Sequence, residues 1–247
     1  MNAPYDGIDL GGLDFDSADL GGSGDAGRPR VKQLAVVSAG TSDPSTTTML
    51  ANRVADKAAT LAARHDIALE IRFVDLRAIA DDVMTALVSQ HVSPELQAAS
   101  DIMRDADAIV ASTPVYKAGA SGLFSAFFQV LDNDLLIGTP VALAATGGSP
   151  RHALVVDDQL RGLFSYLRTL TVPTSLFASP EDWNDRGLGG RIERVATELM
   201  ALVAADFRET VRGDSWGSYQ HSYGSAGGTE LDIDLNSDLM RMATGGR

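Results

Sequence analysis

"ADAIVASTPVYKAGASGLFSAFFQVL", Ala106 to Leu131, is the stretch that decides the fold. Its first eight residues are almost all small or apolar, which predicts a strand buried on both faces of a sheet. Pro114 is expected to end that strand, and a run of small residues, 118–122, leads into an apolar helix. A buried strand, a short loop and a helix form the repeating unit of a parallel sheet covered by helices.

The same unit recurs on both sides of this stretch. Apolar and β-branched runs predict five strands, at 33–38, 67–76, 106–113, 140–146 and 172–178. Helical spacing predicts helices at 46–65, 77–105 (in two pieces), 122–131, 152–170 and 188–207. The alternation predicts an α/β fold, a three-layer αβα sandwich around a five-stranded, parallel, doubly wound sheet. Such sheets bind ligands at the carboxyl ends of their strands.

The amino-acid composition argues against several classes of function. The 247 residues include no cysteine and four histidines without a metal-ligand spacing, so we expect neither disulfides nor a metal site. The net charge of −13 argues against a nucleic-acid partner. No apolar run reaches the roughly 18 residues of a membrane span, and the N-terminus lacks the features of a signal peptide. We therefore expect a cytoplasmic protein without a membrane partner.

The ends of the chain differ from its centre. Residues 1–30 are rich in Gly and Asp and carry six Asp against two Arg. Residues 213–247 are similar in composition, with five acidic residues against two Arg. Neither segment offers enough apolar surface to offset the entropy of ordering it. We predict two disordered acidic tails around one domain, 31–212.

The loop after the first strand, "SAGTSDPSTTTML", carries seven hydroxyl side chains where a helix begins. Hydroxyls and free N–H groups at a helix N-terminus form phosphate sites. The alternative is that Ser45 or Thr46 only caps the helix, which needs one hydroxyl. The GxxxxGK[ST] motif is absent, and no basic residue lies between Lys32 and Arg53. The loop therefore suits a monophosphate held by neutral donors.

Two further loops follow neighbouring strands. In "TPVYKAGASG", Tyr116 can cover a flat ligand, and the small residues after it let a planar group approach the main chain. In "ATGGSPRH", 145–152, two glycines expose bare N–H groups. The alternative is that Tyr116 packs at the helix entry and the glycines only form turns. Together the three loops predict a mononucleotide across the strand ends, and FMN fits best.

The motifs PVYKA, ATGGS and "AGTSDPSTTTML" resemble those of the flavodoxin-like NAD(P)H-dependent FMN reductases that supply two-component monooxygenases, over roughly residues 31–180. The resemblance implies a flavodoxin-like sheet of order 2-1-3-4-5, FMN and NADPH (or NADH) as cofactors, and a monooxygenase partner that receives reduced FMN. It places FMN against a set of loop residues from all three strand ends. For the phosphate these are Thr41, Ser45, Thr46 and Thr47, and for the isoalloxazine they are Pro114, Val115, Tyr116, Lys117, Thr146, Gly147, Gly148 and Ser149. Ser38, a hydroxyl of the first loop, completes the predicted cofactor-binding set.

Hydride transfer between two cofactors needs orientation rather than an acid or base, so no catalytic side chain is expected. Lys117 and Arg151 either attract cofactor charge or are solvated loop residues. Three alternatives stay open: a quinone or azo reductase with bound FMN, a flavodoxin-like electron carrier, and a flavin-responsive binding module without turnover. The apolar helix 123–131 suggests more surface than one subunit covers, and we expect a homodimer or homotetramer.

Overall fold

The computed structural model describes residues 30–213, and the two predicted tails, apart from their inner ends at 30 and 213, lie outside the described residues. The strands are β1 (Lys32–Ser38), β2 (Leu69–Asp75), β3 (Ala108–Tyr116), β4 (Gly119–Ala120), β5 (Pro140–Thr146), β6 (Leu170–Thr171) and β7 (Leu176–Ala178). The α-helices are α1 (Thr46–Arg64), α2 (Ala80–Ser89), α3 (Pro94–Asp105), α4 (Gly122–Val130), α5 (Arg161–Tyr166), α6 (Arg186–Ala204) and α7 (Phe207–Val211). Short 3₁₀ turns cover Pro150–His152 and Pro180–Asn184, and a π-helical turn covers Val156–Leu160.

The sheet runs β2-β1-β3-β5-β6, and all of these pairs are parallel. This is the doubly wound, flavodoxin-like order predicted from the sequence, and the fold class is confirmed. The strand count differs, with seven strands in the described part of the chain rather than five. The predicted strand 172–178 is reduced to β7, and β6 is an additional strand just before it; both pair with β5. The other additional strand is β4, which forms a two-residue antiparallel hairpin with β3.

Two further predictions need correction. Pro114 does not end its strand, because β3 continues to Tyr116 and Pro114 pairs with Thr146 of β5. The region 152–170 is not one helix, since it passes from a 3₁₀ turn through the π-helical turn into α5. The other predicted helices are present, and α2 and α3 are separated by the segment that ends at Ser93-Pro94.

Alternate residues of the strands build two separate cores. Leu34 and Val36 of β1 face α1 and α6, whereas Ala35 and Val37 face α2 to α5 on the opposite side of the sheet. The helices follow from their amphipathic pattern, with Leu50, Val54 and Leu61 among the buried residues of α1. Because consecutive crossovers place helices on both faces, the loops that follow β1 and β3 meet at one edge of the sheet from opposite layers.

The apolar residues of α4 are covered within one subunit. Phe124, Phe127 and Phe128 are at most 1% exposed and form a ring cluster with Phe164 of α5. The reason given for a homodimer or homotetramer therefore does not hold, and the assembly itself stays a prediction. Within the described part of the chain, no helix has both the length and the apolar character needed to cross a membrane.

Candidate functional site

The first loop is organised around the start of α1. Ser45 is the N-cap, and its hydroxyl accepts a hydrogen bond from the N–H of Thr48 at 3.2 Å. Capping thus uses one hydroxyl, as expected, and leaves Thr41, Ser42 and Thr46 exposed beside the free N–H groups of the first turn. A Cβ at Gly40 would lie 1.9 Å from the Ser45 Oγ, so this cap requires glycine at position 40.

Beneath this surface, buried hydroxyls join α1 to the sheet. The hydroxyls of Thr47 and Thr146 are 2.7 Å apart, and Ser112 Oγ donates to the carbonyl of Thr47 at 3.0 Å. Ser38 Oγ lies 2.8 Å from Thr48 Oγ1 and accepts from the N–H of Gly40. These bonds fix the position of the helix N-terminus above the strand ends. Ser38 and Ser45 therefore hold the loop in place from below.

The second loop is a tight hairpin between β3 and β4. Tyr116 pairs with Gly119, and Lys117 and Ala118 between them have φ values of 51° and 62°. Left-handed backbone at two non-glycine residues is uncommon and is the geometry of a type I′ turn. Tyr116 is 51% exposed, and its hydroxyl lies 3.0 Å from Thr41 Oγ1. The ring of Tyr116 thus reaches from the second loop to the first.

A side chain from the π-helical turn holds this hairpin. Gln159 Nε2 donates to the carbonyl of Ala118 at 3.0 Å, and its Oε1 accepts from the N–H of Ala120 at 3.3 Å. The amide therefore pairs with the hairpin backbone as a neighbouring strand would. π-Helical turns occur often at functional sites, and here the turn places Gln159 against the unusual backbone conformation.

The third loop places its two glycines differently. The N–H of Gly147 donates to the carbonyl of Ala178 at 3.1 Å, and a Cβ at Gly147 would lie 3.0 Å from Phe177 Cζ. A Cβ at Gly148 would meet nothing within 4 Å, so this residue borders open space. Nδ1 of His152 is buried behind Gly147 and has no hydrogen-bond partner among the residues that the structure describes. The first glycine is thus required by packing, and the second leaves its peptide accessible.

A fourth loop, after β7, completes the rim. Ser179 and Asp182 form a capping box for the 3₁₀ turn, and Asp182 also binds the guanidinium of Arg191. Desolvation opposes the charged carboxylate, but the hydrogen bonds from Ser179 and the Arg191 contact outweigh it and hold the pKa of Asp182 below its ordinary value. This anchoring fixes the neighbouring Trp183, which is half-buried.

The four loops enclose a cavity of about 390 Å³. Its walls include nine of the thirteen predicted cofactor-binding residues, namely Thr41, Thr46, Thr47, Pro114, Val115, Tyr116, Thr146, Gly147 and Gly148. The other four predicted residues, Ser38, Ser45, Lys117 and Ser149, are outside the lining. Contact of any of the thirteen residues with a flavin stays a prediction.

Five lining residues were not in the predicted set: Ser42, Ala178, Ser179, Pro180 and Trp183. Ser42 belongs to the hydroxyl-rich loop and could have been included. The segment "ASPEDW" follows the last predicted strand, so the rule that ligands bind at carboxyl ends would have identified it. The capping-box pattern from Ser179 to Asp182 was a second available signal.

The cavity fits a mononucleotide in size and in the distribution of its donors. Its volume lies within the range of about 300–1,000 Å³ that is usual for ligand pockets. Thr41, Ser42 and Thr46 surround the start of α1, which suits a phosphate. At the other end Pro114, Tyr116 and the open backbone at Gly148 suit a flat ring. The residues present therefore fit FMN.

Comparison with known proteins gives consistent matches. The family model described as NADPH-dependent FMN reductase matches residues 33–184. An FMN reductase (NADPH) of Pseudomonas aeruginosa is 37% identical over 173 residues, which cover 70% of this chain and 90% of that protein. The NADH-dependent FMN reductase SfnE of Pseudomonas putida is 35% identical over 177 residues, covering 70% and 92%. A solved oxidoreductase of Corynebacterium diphtheriae is 38% identical with a TM-score of 0.69, covering 71% and 98%.

Proposed function

Because the chain belongs to the NADPH-dependent FMN reductase family, we propose that it reduces FMN with NAD(P)H and supplies the reduced flavin to a separate monooxygenase. The observation that carries the proposal is the asymmetric cavity, with hydroxyls and a helix N-terminus at one end and bare backbone beside an aromatic ring at the other.

At the phosphate end, Thr41, Ser42 and Thr46 supply hydroxyl donors, and the first turn of α1 supplies N–H groups and the positive end of the helix dipole. Thr47 lies deeper and is 2% exposed. Its hydroxyl holds Thr146, so its role is to fix the floor of the cavity.

At the ring end, the flavin would lie between the β3–β4 hairpin and the glycine loop. Pro114 and Val115 form one apolar wall, and Gly148 leaves its peptide open to the ring edge. Tyr116 stands at the mouth, where its hydroxyl contact with Thr41 fixes the ring orientation. FMN held here would serve as the acceptor of the hydride from NAD(P)H, and the residues named would contribute its orientation.

The test is a flavin titration followed by turnover. The purified protein is titrated with FMN, FAD and riboflavin by flavin fluorescence, and oxidation of NADPH and of NADH is then measured with each flavin. We expect NAD(P)H oxidation that depends on added FMN, and reduced FMN that passes an ultrafiltration membrane. Adding a flavin-dependent monooxygenase without its own reductase should restore that enzyme's turnover.

Other outcomes separate the alternatives. FMN that turns over but remains with the protein would indicate a quinone or azo reductase with bound flavin. FMN that binds with little NAD(P)H oxidation would indicate an electron carrier or a binding module, and only a carrier would exchange electrons with a redox partner. A protein that binds no flavin would refute the proposal.

A further inference from the structure

The phosphate end of the cavity contains hydroxyls but no cation among its lining residues. Yet Trp183, which lines the same cavity, lies beneath a guanidinium, and Arg53 Cζ is 4.8 Å from the centroid of the indole ring. A cation over an indole face is held by the ring quadrupole, and tryptophan is the best partner for this contact. The indole therefore fixes an arginine next to the wall of the cavity.

The position of Arg53 on α1 directs it toward the phosphate end. Arg53 follows Thr46 by seven residues, close to two helical turns, so both lie on the same side of the helix. Side chains on a helix tilt toward its N-terminus. From this tendency the Arg53 side chain is expected to cover the preceding turn of α1, on the side of the helix that carries Thr46.

The charge of Arg53 is also available. Within the described residues, no carboxylate forms a salt bridge with Arg53, whereas Lys57, one turn further along α1, pairs with Glu193 at 2.7 Å. Arg191 on the same side of the rim is likewise paired, with Asp182. Among the described residues, Arg53 is therefore a cation without a carboxylate partner beside the cavity.

We propose that Arg53, positioned by Trp183, selects a phosphorylated flavin over an unphosphorylated one by placing a positive charge beside the phosphate at the start of α1. Trp183 is the positioning residue. The proposal rests on the proposed function, since it assigns the FMN phosphate to this end. A phosphate monoester also occurs as the 2′-phosphate of NADPH, and the experiment distinguishes the two sources.

The experiment measures dissociation constants of FMN and riboflavin by fluorescence titration without reductant. Arg53→Gln should weaken FMN binding about five- to tenfold and leave riboflavin binding unchanged, because riboflavin carries no phosphate. Arg53→Lys keeps the charge and should retain most of the preference. Trp183→Leu should lower the preference by releasing the guanidinium. Added salt should weaken FMN binding to the unmodified protein more than to Arg53→Gln.

Lys57→Gln is the matched control, since it removes one positive charge from the same helix at a position already paired with Glu193. Three results would overturn the proposal: an unchanged FMN-to-riboflavin ratio in Arg53→Gln, equal weakening of both flavins, or the same effect from Lys57→Gln. An effect on the KM for NADPH but not for NADH, with FMN binding intact, would assign the charge to the 2′-phosphate instead. If the unmodified protein binds neither flavin, the proposed function itself fails, and this proposal with it.

Discussion

Substituting the two adjacent glycines by alanine should separate flavin binding from stability. The structure predicts that Gly148→Ala weakens FMN binding while the fold remains intact. Gly147→Ala should instead destabilise the fold. The two changes add the same methyl group one residue apart, so a difference between them reports on where each Cβ points.

The expected changes in stability follow from the atoms that surround each added Cβ. At Gly148 the new methyl meets nothing within 4 Å, and the backbone is outside the left-handed region. Without flavin, the methyl group of Gly148→Ala therefore causes no steric strain. Alanine also reduces the freedom of the unfolded chain, which adds about 0.4–1 kcal/mol to the free energy of unfolding. At Gly147 the methyl would lie 3.0 Å from the ring of Phe177, which is 5% exposed. Overpacking of this kind costs about 1–3 kcal/mol.

A flavin ring in contact with the peptide of Gly148 would be displaced by the methyl. We expect FMN binding at least about tenfold weaker, equivalent to ~1.4 kcal/mol. Urea unfolding followed by circular dichroism measures stability, and fluorescence titration measures the dissociation constant. Gly122→Ala is the control, because its Cβ also meets open space but Gly122 begins α4 away from the cavity lining. Gly122→Ala should reduce neither the stability of the fold nor the affinity for FMN.

The reasoning fails if Gly148→Ala binds FMN as tightly as the unmodified protein, because the ring then lies elsewhere. It also fails if Gly147→Ala is as stable as Gly148→Ala, since the contact with Phe177 would then not limit the site.

Three other predictions concern groups that hold the site in place. Thr47→Val should lower the free energy of unfolding by about 1–2 kcal/mol, because it leaves the Thr146 hydroxyl unpaired. In urea unfolding, the double variant with Thr146→Val should lose less stability than the sum of the two single variants. Strictly additive losses would contradict the hydrogen bond between the two hydroxyls. Gln159→Leu should speed hydrogen exchange at the Ala120 amide and weaken FMN binding, and unchanged exchange would show that Gln159 does not hold the hairpin. The lowered pKa of Asp182 means that its stabilising contribution is complete above the ordinary aspartate pKa of about 4 and is lost as pH falls through the lower folded value. Asp182→Asn should therefore reduce stability by about 1 kcal/mol at neutral pH and flatten the acid limb of the stability profile, and an unaltered acid limb would refute the assignment.

Much of the architecture could be predicted because it depends on local pattern. The apolar runs at β1, β3 and β5 gave the buried strands, and the rule for parallel sheets gave their common edge. What periodicity could not predict is the type of helical turn between 150 and 166. The 3₁₀, α and π turns have hydrogen bonds that span three, four and five residues. In a short amphipathic segment they leave almost the same pattern of apolar residues in the sequence.

The interruption between β6 and β7 contains Pro173, which cannot donate a sheet hydrogen bond, and distant side chains hold it in place. Arg161 donates to the carbonyls of Val172 and Pro173, and Glu198 of α6 accepts from both the N–H and the hydroxyl of Thr174. These partners replace the sheet bonds that a continuous strand would make. Similarly, the approach of Arg53 to Trp183 joins residues far apart in the sequence. Neither contact leaves a local signal, so the structure was needed to find both.

The two apolar layers on opposite sides of the sheet have a consequence for melting behaviour. A ligand in the cavity would contact the start of α1 and the Trp183 loop on one side of the sheet. It would also contact the β3–β4 hairpin and the glycine loop, which belong to the other layer. It therefore acts as a noncovalent cross-link between two packing units. Loading the cavity should sharpen the thermal transition as well as raise it, because neither layer could then loosen without releasing what both of them hold.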